Sequence, residues 1–247
     1  MPDFIKVDIE KYRKDRQLET INLVFEHIFK AQGKIESSNS VNLNALQRVY
    51  DYVGMEIVVE KSKTDESFTK LLALYISKSS SRQGSNDEAY ILETLKIFMA
   101  SLGIKFEKSN INSLVPIKSG SFAGQLLHRD DVQKNKISKT ECLKSIDCLV
   151  IENITIIGYG TLKVCFGAGG HQDNVILETG DFVEWAIKFG DKTKLYLVII
   201  DSDHTKISQL KMKAQPYENI WVVDHYEFQL AFYDWYLKNI HKETLET

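Results

Sequence analysis

Residues 161–178, TLKVCFGAGGHQDNVILE, set one lysine inside a run that otherwise reads as a buried strand. Leu162, Val164, Cys165 and Phe166 surround Lys163, and Gly167, Gly169 and Gly170 end the run. A polar cluster follows. Val175, Ile176, Phe182, Val183, Trp185 and Ile187 then recur as one stripe of a helix predicted over 173–189. Lysine is seldom buried without a partner, so its placement asks for an acid nearby.

Upstream, 146-IDCLVIEN-153 and 154-ITIIGYGTLKVCF-166 read as two successive strands with a tight turn at Glu152-Asn153. Downstream, the unbroken apolar run 195-LYLVIID-201 predicts a strand covered on both faces. A helix over 204–213, a short strand 220-IWVVD-224 and an aromatic helix over 225–240 follow. The aromatic residues of that last helix recur at helical spacing, which assigns them to a core or an oligomer contact. This order predicts an α/β fold with a mixed central sheet flanked by helices.

The first 80 residues read as a helical N-terminal region, suited to dimer or DNA contacts. Helices are predicted over 9–32, with Gly33 as a stop, and over 43–53 and 65–77. Residues 34–42 read as a polar loop and 56-EIVVEK-61 as a strand. The small, polar stretch 78-KSSSRQGSND-87 reads as a loop and a boundary, leaving 81–247 as the core domain. The next helix is predicted over 87–103, capped by Ser85 or Asn86 and stopped by Gly103. Between 104 and 144, short extended pieces alternate with loops. Residues 118–144 carry six lysines and arginines against three acids and read as solvated surface.

A net charge of −3 excludes a uniformly basic nucleic-acid binder, so any such site is a local patch. Three widely spaced cysteines exclude a disulfide framework and a C-x-x-C zinc site, and predict reduced thiols in a cytoplasmic protein. The charged N-terminus does not read as a signal peptide, and no apolar run is long enough for a membrane span. P-loop, G-x-S-x-G and H-E-x-x-H signatures are absent. His128-Arg129-Asp130 reads as surface; Asp201, Asp203 and His204, at a strand end, could bind metal but read rather as the cap of the following helix.

An aspartate at the start of a hairpin, an x-x-Lys on its second strand, then helix and strand, resembles the PD-(D/E)xK nuclease fold of type II restriction endonucleases. The usual acid two places before the lysine is Thr161 here, and Ile146 stands where a proline precedes the aspartate. One subgroup, including tetrameric enzymes that read a CCGG core, uses Ser/Thr-x-Lys and carries the acid on the next helix. Glu178 lies close to that place, about one residue beyond it. The same subgroup adds an upstream helical glutamate, matched by Glu88.

The resemblance covers about residues 85–225 and implies a restriction-endonuclease-like core. It implies a site of Glu88, Asp147, Lys163 and Glu178, with Asp147, Glu178 and Glu88 as ligands of Mg2+. Magnesium held by carboxylates serves phosphodiester hydrolysis by activating water and neutralising developing charge. A lysine beside it orients the water, or moves a proton if its surroundings lower its pKa. The implied activity is site-specific cleavage of double-stranded DNA by a homodimer or higher homo-oligomer. Alternatives are a repair or recombination nuclease, and a DNA-binding protein without catalysis. Arg82 and Gln83, with His171, Gln172 and Asn174 in 169-GGHQDN-174, are the candidate contacts to DNA bases or phosphates.

Overall fold

The lysine-bearing run is the centre of the sheet. In the computed structural model, which describes residues 2–27, 41–77, 80–109, 113–166 and 170–243, strand β5 spans Thr155–Cys165. It follows β4 (Cys148–Glu152) across a turn in which Asn153 takes a positive φ of 55°. The two pair antiparallel, Cys148 opposite Gly160, with a bulge at Val150/Ile151. The outer strand β1 (Lys105–Lys108) pairs antiparallel with β4. On the other side β6 (Leu195–Ser202) and β7 (Ile220–Val223) run parallel to β5. The order β1-β4-β5-β6-β7 makes a five-stranded mixed sheet. A hairpin of β2 (Leu114–Pro116) and β3 (Leu126–His128) forms a separate two-stranded sheet.

Close pairing at the centre dictates a glycine. A Cβ at Gly160 would stand 2.7 Å from Cys148 Sγ and 3.3 Å from Leu197 Cβ.

Helix α7 (Gly170–Phe189) crosses from β5 to β6 and lays Val175, Ile176, Phe182, Val183 and Ala186 on the sheet. Those positions follow a three-four spacing, and they meet Val198 and Ile200 of β6. Trp185 joins the same core and donates its indole N–H to the Ile117 carbonyl at 2.8 Å. Helix α8 (Ile207–Ala214) leads to β7, and α9 (His225–Glu243) closes the unit with Phe228 and Phe232 fully buried. The aromatic stripe of this last helix is therefore core.

The chain divides into two compact units, Asp8–Asp87 and Met1–Val7 with Glu88–Thr247; the division falls within α5 (Ser80–Ser101). The smaller unit contains α1 (Ile9–Glu26), α2 (Val41–Val53), α3 (Met55–Thr64) and α4 (Glu66–Ser77). Leu46, Tyr50, Val58, Ala73 and Ile76 form its core. Gly54, at φ 97°, makes the corner between α2 and α3 that a side chain would strain.

Three sequence expectations need correction. Residues 56–61 form part of α3, not a strand. Val58 and Ser62 sit four apart and both are buried against neighbouring helices, so packing overrides the β-propensity of Ile57-Val58-Val59. Helix α5 begins at Ser80, so 80–87 is helical rather than a loop, and neither Ser85 nor Asn86 is the cap. The strong stripe Ile91, Leu92, Leu95, Phe98 and Met99 nucleates a helix that propagates backwards through weakly helix-forming residues. Helix α7 likewise starts at Gly170, ahead of the expected 173. The N-terminal expectations over 28–40 lie outside the described residues. Among the described residues no helix is long and apolar enough to cross a membrane.

Candidate active site

Four elements bring charge to the end of β5. Lys163 pairs in register with Ile200 of β6, deep in the sheet, and its side chain is 14% exposed. Its neighbours Thr161, Leu162, Val164 and Cys165 are all buried. Asp147 stands one residue before β4. Its backbone N–H donates to the Gly160 carbonyl at 2.9 Å, which fixes it beside Thr161. Asp147 Oδ2 accepts from Lys163 Nζ at 2.5 Å and from the Leu162 N–H at 3.1 Å.

The two glutamates arrive on helices, each on the stripe that faces the core. Glu88 lies on α5 one turn before Ile91 and Leu92, and its Oε1 is 3.9 Å from Lys163 Nζ. Glu178 lies on α7 between Val175 and Phe182, three and four residues away, so the same face carries it inward. Its Oε2 is 2.6 Å from Lys144 Nζ, an ion pair whose alignment does not make a hydrogen bond.

These groups line two recesses that share Asp147 as a wall. One, of about 10 Å³, is lined by Lys144, Asp147, Thr161, Lys163, Glu178 and Phe182 among others. The second, of about 40 Å³, is lined by Glu88, Ala89, Leu92, Lys108, Asp147 and Leu162. All four residues expected at the site are therefore together, with Lys163 between the carboxylates.

The electrostatics choose between the two roles open to Lys163. Burial presses the Lys163 ammonium toward a lower pKa, but Asp147 and Glu88, the hydrogen bond to Asp147 and the Glu178 charge outweigh it, so the pKa is raised. With its pKa raised, Lys163 carries its positive charge at neutral pH. Burial raises the Glu88 pKa, with Asp147 adding to the effect and Lys163 opposing it. Burial likewise pushes the Cys148 thiol far up, which removes it as a nucleophile.

Thr161 Oγ1 is buried with no hydrogen-bond partner, and Glu178 Oε2 has only its ion pair with Lys144. Oxygen donors around a partly buried pocket fit a hard divalent cation. Asp147 and Glu178 would hold it, with Glu88 on the far side of Asp147.

Sequence reasoning missed another grouping. Asp201, Asp224 and His225 each offer a ligand atom within 4.8 Å of the others and could hold a metal ion; among the described residues no such trio includes Glu88, Asp147 or Glu178. Asp201 pairs in register with Val164, so the pleat turns it to the sheet face opposite Lys163. Both nitrogens of His225 and one oxygen each of Asp201 and Asp224 are already engaged, while Asp201 Oδ2 is buried with no hydrogen-bond partner. The Val7 N–H donates to His225 Nε2 at 2.8 Å, so Nδ1 carries the proton that Asp201 Oδ1 accepts at 2.5 Å. Asp224 caps α9, with Oδ1 accepting from Tyr226 and Glu227 N–H groups at 2.8 and 2.7 Å. Asp201 therefore serves His225 and not, as the sequence suggested, the cap of α8, whose N-cap is Lys206.

The expected DNA contacts are spread over two helices. Arg82 and Gln83 lie on α5, and His171 and Gln172 on the first turn of α7; their side chains fall outside the described part of the structure. Asn174 is exposed on α7. Comparison of the chain with protein-family models, curated proteins and solved structures finds no match.

Proposed function

We propose that this protein is a magnesium-dependent endonuclease that hydrolyses phosphodiester bonds of double-stranded DNA at specific sites, in the manner of type II restriction enzymes. The observation that carries the reading is the convergence of Asp147, Lys163, Glu88 and Glu178, from a hairpin and two helices, at the end of the central strand. A structural ion pair would need one acid; here three surround one lysine.

Asp147 and Glu178 hold the cation, with Glu88 as the further carboxylate. When bound, Mg2+ supplies charge neutralisation and an activated water. Lys163, kept protonated by its acids, donates hydrogen bonds toward the attacking water and the non-bridging phosphate oxygens. Asp147 fixes the ammonium, and the Leu162 N–H fixes Asp147. Glu88 holds a proton more readily than an ordinary glutamate. A palindromic site presents two equivalent strands, so two copies of the chain act together. Arg82 and Gln83 on α5, with His171, Gln172 and Asn174 on α7, are the residues proposed to meet the DNA.

A second reading, DNA binding without scission, draws on Thr161 in place of the usual acid. One digestion separates the two. Unmodified phage DNA is incubated with the protein, with and without Mg2+, beside Lys163→Ala. Discrete fragments that require Mg2+ and vanish in the variant support nuclease activity. Magnesium-indifferent binding with intact DNA supports the second reading, and equal cutting by the variant removes Lys163 from the chemistry.

A further inference from the structure

We propose that Lys144 is a substrate-binding residue that exchanges partners: it neutralises Glu178 while no cation is bound, and passes to a phosphate of the DNA when a divalent cation takes that carboxylate. The inference rests on the reading of Glu178 as a cation-holding carboxylate. Lys144 Nζ lies 2.6 Å from Glu178 Oε2, and both residues line the smaller recess with Asp147 and Lys163. The two ammonium groups of that recess are held differently. Lys163 is 14% exposed and is fixed by Asp147 and Glu88. Lys144 is 64% exposed and pairs with an acid that is itself 30% exposed. One is set into the sheet. The other reaches the acids from the solvent side, the side from which a nucleic acid approaches.

The backbone around Lys144 is anchored. The Leu143 N–H donates to the Pro116 carbonyl at 2.9 Å and the Ile146 N–H to the Leu114 carbonyl at 2.8 Å. Both bonds tie this segment to β2, so a change of partner is a rotation of the side chain. Two other acids of α7 also pair with lysines, Asp181 with Lys118 and Glu184 with Lys213. Those acids are 54% and 63% exposed and line neither recess, so they are ordinary surface pairs. Glu178 Oε2 is closed to solvent with the Lys144 ammonium against it, so a cation gains that oxygen by displacing Lys144. Oxygens bound to one magnesium ion stand about 2.0–2.1 Å from it, so a phosphate oxygen taken by the ion lies beside the Glu178 oxygen. Lys144 already reaches the one and therefore reaches the other. Cation and DNA binding then reinforce each other, because the ion frees the charge that the phosphate uses.

Lys144→Gln and Lys144→Arg test this in the full-length protein, with Lys118→Gln as a control of equal charge change. Mn2+ affinity without DNA, measured by calorimetry, rises roughly threefold in Lys144→Gln, on the scale of an exposed ion pair. It stays near wild type in Lys144→Arg and Lys118→Gln. Affinity for a labelled DNA duplex of mixed sequence is then followed against salt, in Ca2+ and in chelator. In Ca2+ the slope of log affinity against log salt falls by about 0.9 per copy in Lys144→Gln, the loss of one phosphate contact, and Lys144→Arg restores it. In chelator the slope is unchanged. Mn2+ affinity in Lys144→Gln no higher than wild type, an equal rise in Lys118→Gln, or an unaltered slope in Ca2+ overturns the proposal. If that happens while wild type still cuts DNA with Mg2+, the exchange fails and the nuclease reading stands. If both shifts appear and no DNA is cut, the exchange stands and the hydrolytic reading fails. Wild type that binds no Mn2+ defeats both.

Discussion

Replacing Lys163 with methionine keeps most of the aliphatic stem and removes the ammonium. In the native site Nζ stands 2.5 Å from Asp147 Oδ2 and 3.9 Å from Glu88 Oε1. Deleting one partner of a fully buried pair costs ~3–5 kcal/mol, whereas exposed pairs contribute ~0–1 kcal/mol. Lys163 is 14% exposed but Asp147 and Glu88 are 34% and 33% exposed. The site therefore lies between these limits, and the expected loss is about 1–3 kcal/mol. Because the Lys163 pKa is raised, its contribution is complete below the ordinary value of 10.5 and is lost only as pH climbs through the raised value. The penalty is therefore constant from neutral pH to about that point. Removing the ammonium also leaves carboxylates facing one another, a better cation site than the native one. A bound ion at a hundredfold excess over Kd returns about 2.7 kcal/mol. Urea unfolding followed by tryptophan fluorescence, in chelator and then in millimolar Ca2+, reads both effects. Stabilisation by Ca2+ should be larger in the variant than in wild type. A loss below about 0.5 kcal/mol, or a variant indifferent to Ca2+, refutes the picture of Lys163 as the internal counter-ion of these acids.

Three further outcomes are expected. Glu88→Gln should stabilise the protein at neutral pH by at most about 1 kcal/mol, because a third of the side chain is solvated. Its raised pKa means the folded protein prefers the neutral carboxyl, so the gain should appear as pH rises above the ordinary 4.5 and vanish below it; urea titrations across that range check the sign. His225→Ala should cost about 3–5 kcal/mol, since it leaves the buried Asp201 carboxylate unpartnered and frees the Val7 amide, whose hydrogen exchange should accelerate. Gly160→Ala places a methyl 2.7 Å from Cys148 Sγ and should cost about 1–3 kcal/mol. Cys148→Ala should recover part of that loss in the double variant.

Of the candidate site, Lys163 was legible because it breaks a local pattern, whereas Glu88 and Glu178 were named from the family resemblance. Glu178 occupies the apolar stripe of α7, between Val175 and Phe182, where a surface glutamate has no reason to be. Glu88 breaks the stripe of α5 in the same way, one turn before Ile91. Lys163 interrupts a strand buried on both sides. Asp147 was located by the hairpin turn, which sets the register opposite Gly160. What remained hidden was decided by tertiary contacts. The run Ile57-Val58-Val59 became helix because its neighbours are helices, and Ser80–Asp87 because a strong stripe lies beyond it. The bond from His225 to Asp201 joins residues 24 apart, and that from Val7 to His225 residues 218 apart, so no local pattern announces either. Proton transfer by Lys163 required a lowered pKa; burial alone would lower it, but three acids stand around it and raise it, which leaves the expected water-orienting role as the one compatible with the site.

The two acidic groupings in this sheet show why proximity of ligand atoms is a poor guide to a metal site. Asp201, Asp224 and His225 come closer together than Glu88, Asp147 and Glu178 do. Yet both nitrogens of His225 and the near oxygen of Asp224 already hold hydrogen bonds that fix residues 2–7 and the start of α9. An ion there must break those bonds, and the cost falls on folding. At the end of β5 the converse holds. The acids there are held chiefly by the ammonium groups of Lys163 and Lys144. Binding a cation there exchanges ammonium partners for another positive charge, with the Leu162 N–H bond to Asp147 as the backbone contact at stake. The partners an ion must displace, rather than the shortest distances, mark which grouping is built to exchange its occupant. The expected experimental contrast is that divalent cations shift the stability of Asp201→Asn as they shift wild type, while Asp147→Asn loses the shift.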